Sequence, residues 1–172
     1  MKLIKSALNL PIISSVRRNH ALEHATLQVI NRHKPQLHLA GYSDPGGFHL
    51  IGDATLEEIQ SAAEEALFRL KNGEEGLAIH PNCGTNFLVS GMAAGLFAWL
   101  GMLGVGDSLK KKMDRLSWVI TLATFGMIVA QPYGPLVQKN ITTCSKPGGL
   151  HIKQISVNHQ GNVSIFRVST GG

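Results

Sequence analysis

The chain has 172 residues, enough for one compact domain with a core or for a smaller domain plus membrane helices. Apolar residues make up 44% of it and charged residues only 16%, against about 25% charged in average soluble chains, so part of the chain is expected to avoid water. The net charge of +5 is dispersed, no basic block exceeds Lys110-Lys111-Lys112, and aromatics are only 6%, which argues against a nucleic-acid binder. Two cysteines, Cys83 and Cys144, are too few for a stapled secreted scaffold.

The first residues, MKLIKSALNLPIISSVRR, carry two lysines and a short apolar run that Pro11 interrupts. They read as an amphipathic lead-in lying against something apolar rather than as a cleaved signal. Helical spacing then runs over about residues 14–32, with Leu22, Ala25 and Val29 on one face. Residues 37–51 predict two short strands around "SDPGG", where Pro45 fixes φ and Gly46 and Gly47 admit positive φ. A second helix follows. Thr55 and Glu58 form a capping box before the stripe of Ile59, Ala63, Ala66 and Leu70, and Asn72-Gly73 stops it. "GLAIHPNCGTN" predicts a short strand ending in a tight turn.

From residue 87 to 105 there is no charge, and at about 1.5 Å per residue this run can just cross a hydrocarbon core about 30 Å thick. A polar loop, "GDSLKKKMDRLS", leads to a second apolar run over residues 118–137. Trp99 and Trp118 near the loop-side ends favour a transmembrane hairpin in a lipid bilayer over a buried soluble one. Gly91 and Gly95 form a small-xxx-small pair that lets the two helices approach closely or drives self-association. The last segment, with "LHIKQISV" and "VSIFRVS" around "NHQGN", predicts a hairpin that is marginal alone and is expected to add to the earlier strands. The expected class is α+β: a helix and β-hairpin domain over 1–86, a transmembrane helical hairpin over 87–138, and a C-terminal β-hairpin over 139–172 that packs on the first region.

The chemistry concentrates in "RRNHALEHATL". At about 100° per residue, His20, Glu23 and His24 project from one stripe of a helix. Two neutral imidazoles one turn apart can ligate a zinc ion, and a neighbouring carboxylate can act as general base. His-x-x-Glu-His is the inverted zincin order. A second cluster, "IHPNCGTN", offers His80 and Cys83 three residues apart, as metal knuckles do. Cys83 precedes a helix N-terminus, which favours its thiolate. Glu64 and Glu65 project away from the apolar face of their helix, so His80 is the preferred third ligand. Asp44 is either a turn former or a carboxylate that orients a ligand histidine.

"RNHALEHATL" and "HPNCGTNF" together resemble bacterial membrane-protein families of unknown function. These carry His-x-x-Glu-His, then His-Pro-x-Cys-Gly-Thr, then a membrane run; one branch is described as predicted metal-dependent enzymes. The nearest branch is also similar at "SDPGGF", and the resemblance covers about residues 18–100. It implies a metal at His20 and His24 with His80 and Cys83 nearby. The expected function is a membrane-anchored zinc hydrolase, most simply a peptidase acting near the membrane surface. His20, His24 and His80 are then the ligands, Cys83 a fourth ligand or a neighbour, and Glu23 the general base. The alternative is a non-catalytic scaffold or assembly factor stapled by a closed four-ligand site. Lys110 to Lys112 and Arg115 would place their loop in the cytoplasm. The lack of an obvious export signal before the first region favours cytoplasmic soluble parts instead, and that side is expected.

Overall fold

A computed structural model describes residues 6–160 and 163–172. The start of the amphipathic lead-in and the centre of the "NHQGN" turn lie outside them. The elements are α1 (Pro11–His33), β1 (Ala40–Asp44), β2 (Gly47–Gly52), α2 (Leu56–Lys71), a 3-10 turn (Glu75–Ala78), α3 (Gly84–Met102), α4 (Leu109–Ala130), α5 (Tyr133–Val137), a π-helical turn (Gln138–Thr142), β3 (His151–Gln160) and β4 (Val163–Gly171). The class is α+β. The chain divides into two units: residues 1–80 with 138–172, and residues 81–137.

In the first unit the sheet is antiparallel in the order β1-β2-β4-β3. β4 pairs with β2, with Leu50 opposite Phe166 and Phe48 opposite Val168, so the C-terminal hairpin, marginal alone, finds a third strand. Phe48, Leu50, Phe166 and Val168 point to one face and are fully or almost fully buried. They form one core with Ala21, Leu22, Ala25 and Val29 of α1 and Ile59, Ala66 and Leu70 of α2. Helix α2 starts as its sequence requires: the Glu58 N–H donates to Thr55 Oγ1 and the Thr55 N–H to Glu58 Oε2, which completes the capping box. Gly73, at φ +88°, ends it.

Two expectations change here. Pro11 opens α1 rather than interrupting it, because a first-turn proline gives up no helical hydrogen bond. "GLAIHPNCGTN" forms no strand; Glu75–Ala78 make a 3-10 turn. The Gln28 amide on α1 donates to the carbonyls of Leu77 and Ile79, so side chains occupy acceptors that a sheet partner would need.

In the second unit, α3 and α4 pack against each other. A Cβ on Gly126 would fall 2.9 Å from the Ala93 carbonyl and from the Phe97 ring, and one on Gly101 would fall 3.0 Å from Leu122. The close approach therefore uses Gly101 and Gly126. Gly91 and Gly95 have open space where side chains would be, so they do not join the two helices. The "GDSLKKKMDRLS" segment is not a loop throughout. Helix α4 begins at Leu109, since Leu, Lys and Met are good helix formers and Ser108 occupies the N-cap position. It ends at Ala130, and Pro132 precedes the short α5. Both α3 and α4 are, by length and composition, long and apolar enough to span a membrane.

Candidate metal centre

The middle of α1 is buried on nearly every side, from Asn19 to Thr26. Four of its buried residues are polar or charged: Asn19, Glu23, His24 and Thr26. Buried polar groups need partners, and those partners build the site. Thr26 satisfies itself against the Leu22 carbonyl one turn back. The other three reach outward into the first unit.

His24 is 2% exposed, and its Nδ1 lies 2.8 Å from the Ala78 carbonyl. His20 Nδ1 lies 2.9 Å from the Thr142 carbonyl. A carbonyl only accepts, so each Nδ1 carries the proton and donates, and in the neutral ring the lone pair lies on Nε2. Metal-binding histidines are commonly oriented in this way, with the second nitrogen tied to a carbonyl or carboxylate. The two ring centroids are 4.2 Å apart. Helical spacing therefore delivers both imidazoles to one place, and two main-chain carbonyls far along the chain set their tautomers.

His80 joins them within the same unit, its ring 5.6 Å from that of His24. Its backbone is clamped by Gln138, which is fully buried. The His80 N–H donates to Gln138 Oε1 at 2.9 Å, and Gln138 Nε2 donates to the His80 carbonyl at 3.1 Å. Gln138 opens the π-helical turn that also carries Thr142. Thr143 closes that turn, with its N–H and Oγ1 both donating to the Gln138 carbonyl at 2.9 Å. Such irregular turns recur at functional sites. Here the turn carries both the clamp on His80 and the carbonyl on His20.

Glu23 is 4% exposed. It accepts a hydrogen bond from the Ser43 hydroxyl of β1. A Cβ on Gly41 would fall 2.6 Å from Glu23 Oε1, so only glycine lets the strand lie this close to the carboxylate. Asn19 fastens the same hairpin: its Nδ2 donates to the Asp44 carbonyl at 2.9 Å and to the Pro45 carbonyl at 3.2 Å, while its Oδ1 accepts from Thr170. Asp44 itself orients no ligand histidine. It pairs with Arg167, 2.9 Å from Nη2 to Oδ1, which holds its carboxyl below the usual carboxylate range. Glu65 pairs with His33 and Arg69, and Glu64 with Gln60, on the exposed side of α2.

Cys83 belongs to the second unit, three positions after His80. It is the N-cap of α3, is 6% exposed, and its sulfur accepts from the Thr85 N–H at 3.5 Å. That hydrogen bond and the helix N-terminus both favour a thiolate. Within the first unit His20, His24 and His80 come together, and Cys83 follows His80 by three positions in the sequence. Sequence reasoning missed Gln138, Thr142, Ser43 and Asn19. The pattern "SDPGGF" pointed at the hairpin that holds two of these contacts.

The protein family described as a domain of unknown function, DUF6391, matches residues 15–155, a span that contains His20, Glu23, His24, His80 and Cys83. An uncharacterised protein of Picosynechococcus sp. is 34% identical over 168 residues, covering 88% of this chain and 77% of the relative. No solved structure matches the chain. The chain belongs to the DUF6391 family.

Proposed function

We propose that the protein is a membrane-anchored, metal-dependent hydrolase that takes zinc and cleaves peptide bonds close to the bilayer. The observation that carries this reading is the fixed tautomer of both helical histidines: each donates from Nδ1 to a main-chain carbonyl and keeps Nε2 for a ligand. Imidazole and thiolate donors fit zinc better than they fit calcium or magnesium. His20, His24 and His80 of the first unit would hold the ion, with Cys83, three positions after His80 in the sequence, as the further donor. Zinc, when bound there, would supply Lewis acidity and acidify the attacking water. Glu23 would accept the proton of the attacking water and return it to the leaving group, as general base and then general acid. The Ser43 hydroxyl keeps the carboxylate pointed in one direction. Helices α3 and α4 supply the anchor.

One observation favours a second reading, a structural metal that staples helix to turn. Glu23, His24 and Cys83 are each at most 6% exposed, and closed cysteine-histidine sites are usually structural. Elemental analysis of the purified protein tests the metal: about one zinc per chain is expected, falling sharply in His24→Ala. Unchanged metal in that variant overturns the site. Glu23→Gln separates the two readings. The hydrolase keeps its metal and fold but loses about 10²–10⁴-fold in turnover, read as failure to complement a null strain of the source cell. Full complementation by Glu23→Gln beside failure of His20→Ala leaves the structural metal standing and removes the enzyme.

A further inference from the structure

Strand β1 is an edge of the sheet, and among the described residues no strand pairs with its outer side. The direction of its backbone groups follows from the pairing. The Thr170 N–H donates to the Gly46 carbonyl, so even-numbered residues of the β2 region turn their backbone groups toward β4. Odd-numbered Gly47, His49 and Ile51 then bond to β1, where their partners are Asp44, Tyr42 and Ala40. Gly41 and Ser43 are left with N–H and C=O directed to the open edge. These are also the two residues of β1 that meet Glu23, one through its hydroxyl and one through its missing Cβ.

This edge is held still. Asn19 ties its end to α1, Arg167 grips Asp44, and the Tyr42 ring stacks on His49 at 4.6 Å between centroids. Residues 40–42 are exposed. A rigid strand with outward donors and acceptors at two-residue spacing has one natural complement, an extended polypeptide, which pairs through its own backbone whatever its sequence. A strand added there lies about 4.8 Å from β1, beside the two residues that meet Glu23.

We infer that the open edge of β1 receives the substrate as an extended peptide segment, paired through the backbone groups of Gly41 and Ser43, so that the chain passes Glu23. The inference rests on the hydrolase reading and names its substrate class: unfolded or locally extended polypeptide, chosen by backbone rather than by one side chain. Ser43 is then a positioning residue twice over, toward Glu23 through its hydroxyl and toward the substrate through its N–H.

The test uses zinc-loaded full-length protein in detergent micelles and three probes, followed by isothermal titration calorimetry. Acetohydroxamate reports the metal alone. An acetylated Ala-Leu-Ala hydroxamate adds the backbone. The same peptide with N-methylated amides removes its donors. The unmethylated peptide should bind about tenfold or more tighter than acetohydroxamate, as one or two net hydrogen bonds supply, and N-methylation should abolish that gain. Ser43→Ala, which deletes only the hydroxyl, should keep the peptide's gain over acetohydroxamate. Ser43→Pro, which deletes the hydroxyl and the outward N–H together, should lose that gain relative to Ser43→Ala. Normal acetohydroxamate binding with no gain for the peptide, or an equal gain for the N-methylated peptide, overturns the edge-strand inference and leaves the metal site intact. Protein that takes up no zinc overturns the hydrolase reading and the inference together. A dimer seen by light scattering that Ser43→Pro dissociates shows that a second copy occupies the edge, and this also overturns it.

Discussion

The two units dispose of their apolar side chains in opposite ways. In the first, Phe48, Phe166, Leu22, Leu50, Ile59 and Val168 are each under 2% exposed, closed between a sheet and two helices. In the second, the only buried residue of α3 is Gly101 and the only ones of α4 are Gly126 and Ala130, while Phe87, Met92, Trp99, Trp118 and Ile120 are more than half exposed. The first unit excludes water by its own packing. The second puts glycines at its helix contact and turns its large side chains outward. An exposed apolar surface of that extent needs a nonaqueous surrounding or a partner. The same chain thus contains one part that closes its large apolar side chains inward and one part that turns them outward.

The largest expected effect tests that contrast directly. Under the bilayer reading, the protein leaves membranes only with detergent and stays with the lipid through high salt or carbonate. Release as folded, monodisperse protein by carbonate would collapse the comparison and make α3 and α4 a soluble element. A smaller effect should appear in one unit alone. Phe166→Ala removes an almost wholly buried ring from β4 and should cost about 3–5 kcal/mol. Hydrogen exchange should then quicken across β2 and β4 and leave α3 and α4 unchanged. Both tryptophans, Trp99 and Trp118, lie in the second unit, so their fluorescence should be silent to this change. Matching losses in both units would show that their stabilities are shared.

Much of this was readable from local chemistry. The Thr55–Glu58 capping box, the "SDPGG" turn and the one-stripe placement of His20, Glu23 and His24 are each decided within a few residues, where spacing and side-chain type suffice. What escaped is what partners choose across long separations. Gln138 clamps His80 from 58 positions away, and Thr142 faces His20 across 122. Both histidines are fixed by main-chain carbonyls, which every residue offers, so no sequence pattern marks Ala78 or Thr142. The failed strand at residues 77–80 has the same cause: Gln28, His24 and Gln138 take its backbone groups before a sheet could. Gly91 and Gly95 carry the expected spacing, yet the helix contact falls at Gly101 and Gly126, because spacing identifies a smooth face without saying which neighbour meets it.

The smallest expected effect concerns the charged clasp on the outer side of the sheet. Asp44 is held below the usual carboxylate range first by the hydrogen bond from Arg167, with the Gly46 N–H and the Arg167 charge adding to it and burial opposing. A carboxylate whose folded pKa is depressed contributes stability that is fully present above its unfolded value, about 3.9. That contribution is lost as pH falls through the lower folded value. His49 works in the same direction at higher pH. Burial first, and the Arg167 charge second, push its pKa below 6.5, so protonation on the acid side also weighs against the folded state. More than a third of the Asp44 side chain is exposed, so solvent screening limits the pair to about 1 kcal/mol at most. Arg167→Met should therefore be slightly less stable than the parent near pH 7, and the gap should close as pH falls toward 3, read by denaturant unfolding of the first unit across that range. The acid limb of the variant should be the flatter one. A gap that stays constant with pH would mean that Arg167 acts through packing of its aliphatic stem against the sheet, and the clasp would then be a contact rather than a charge pair.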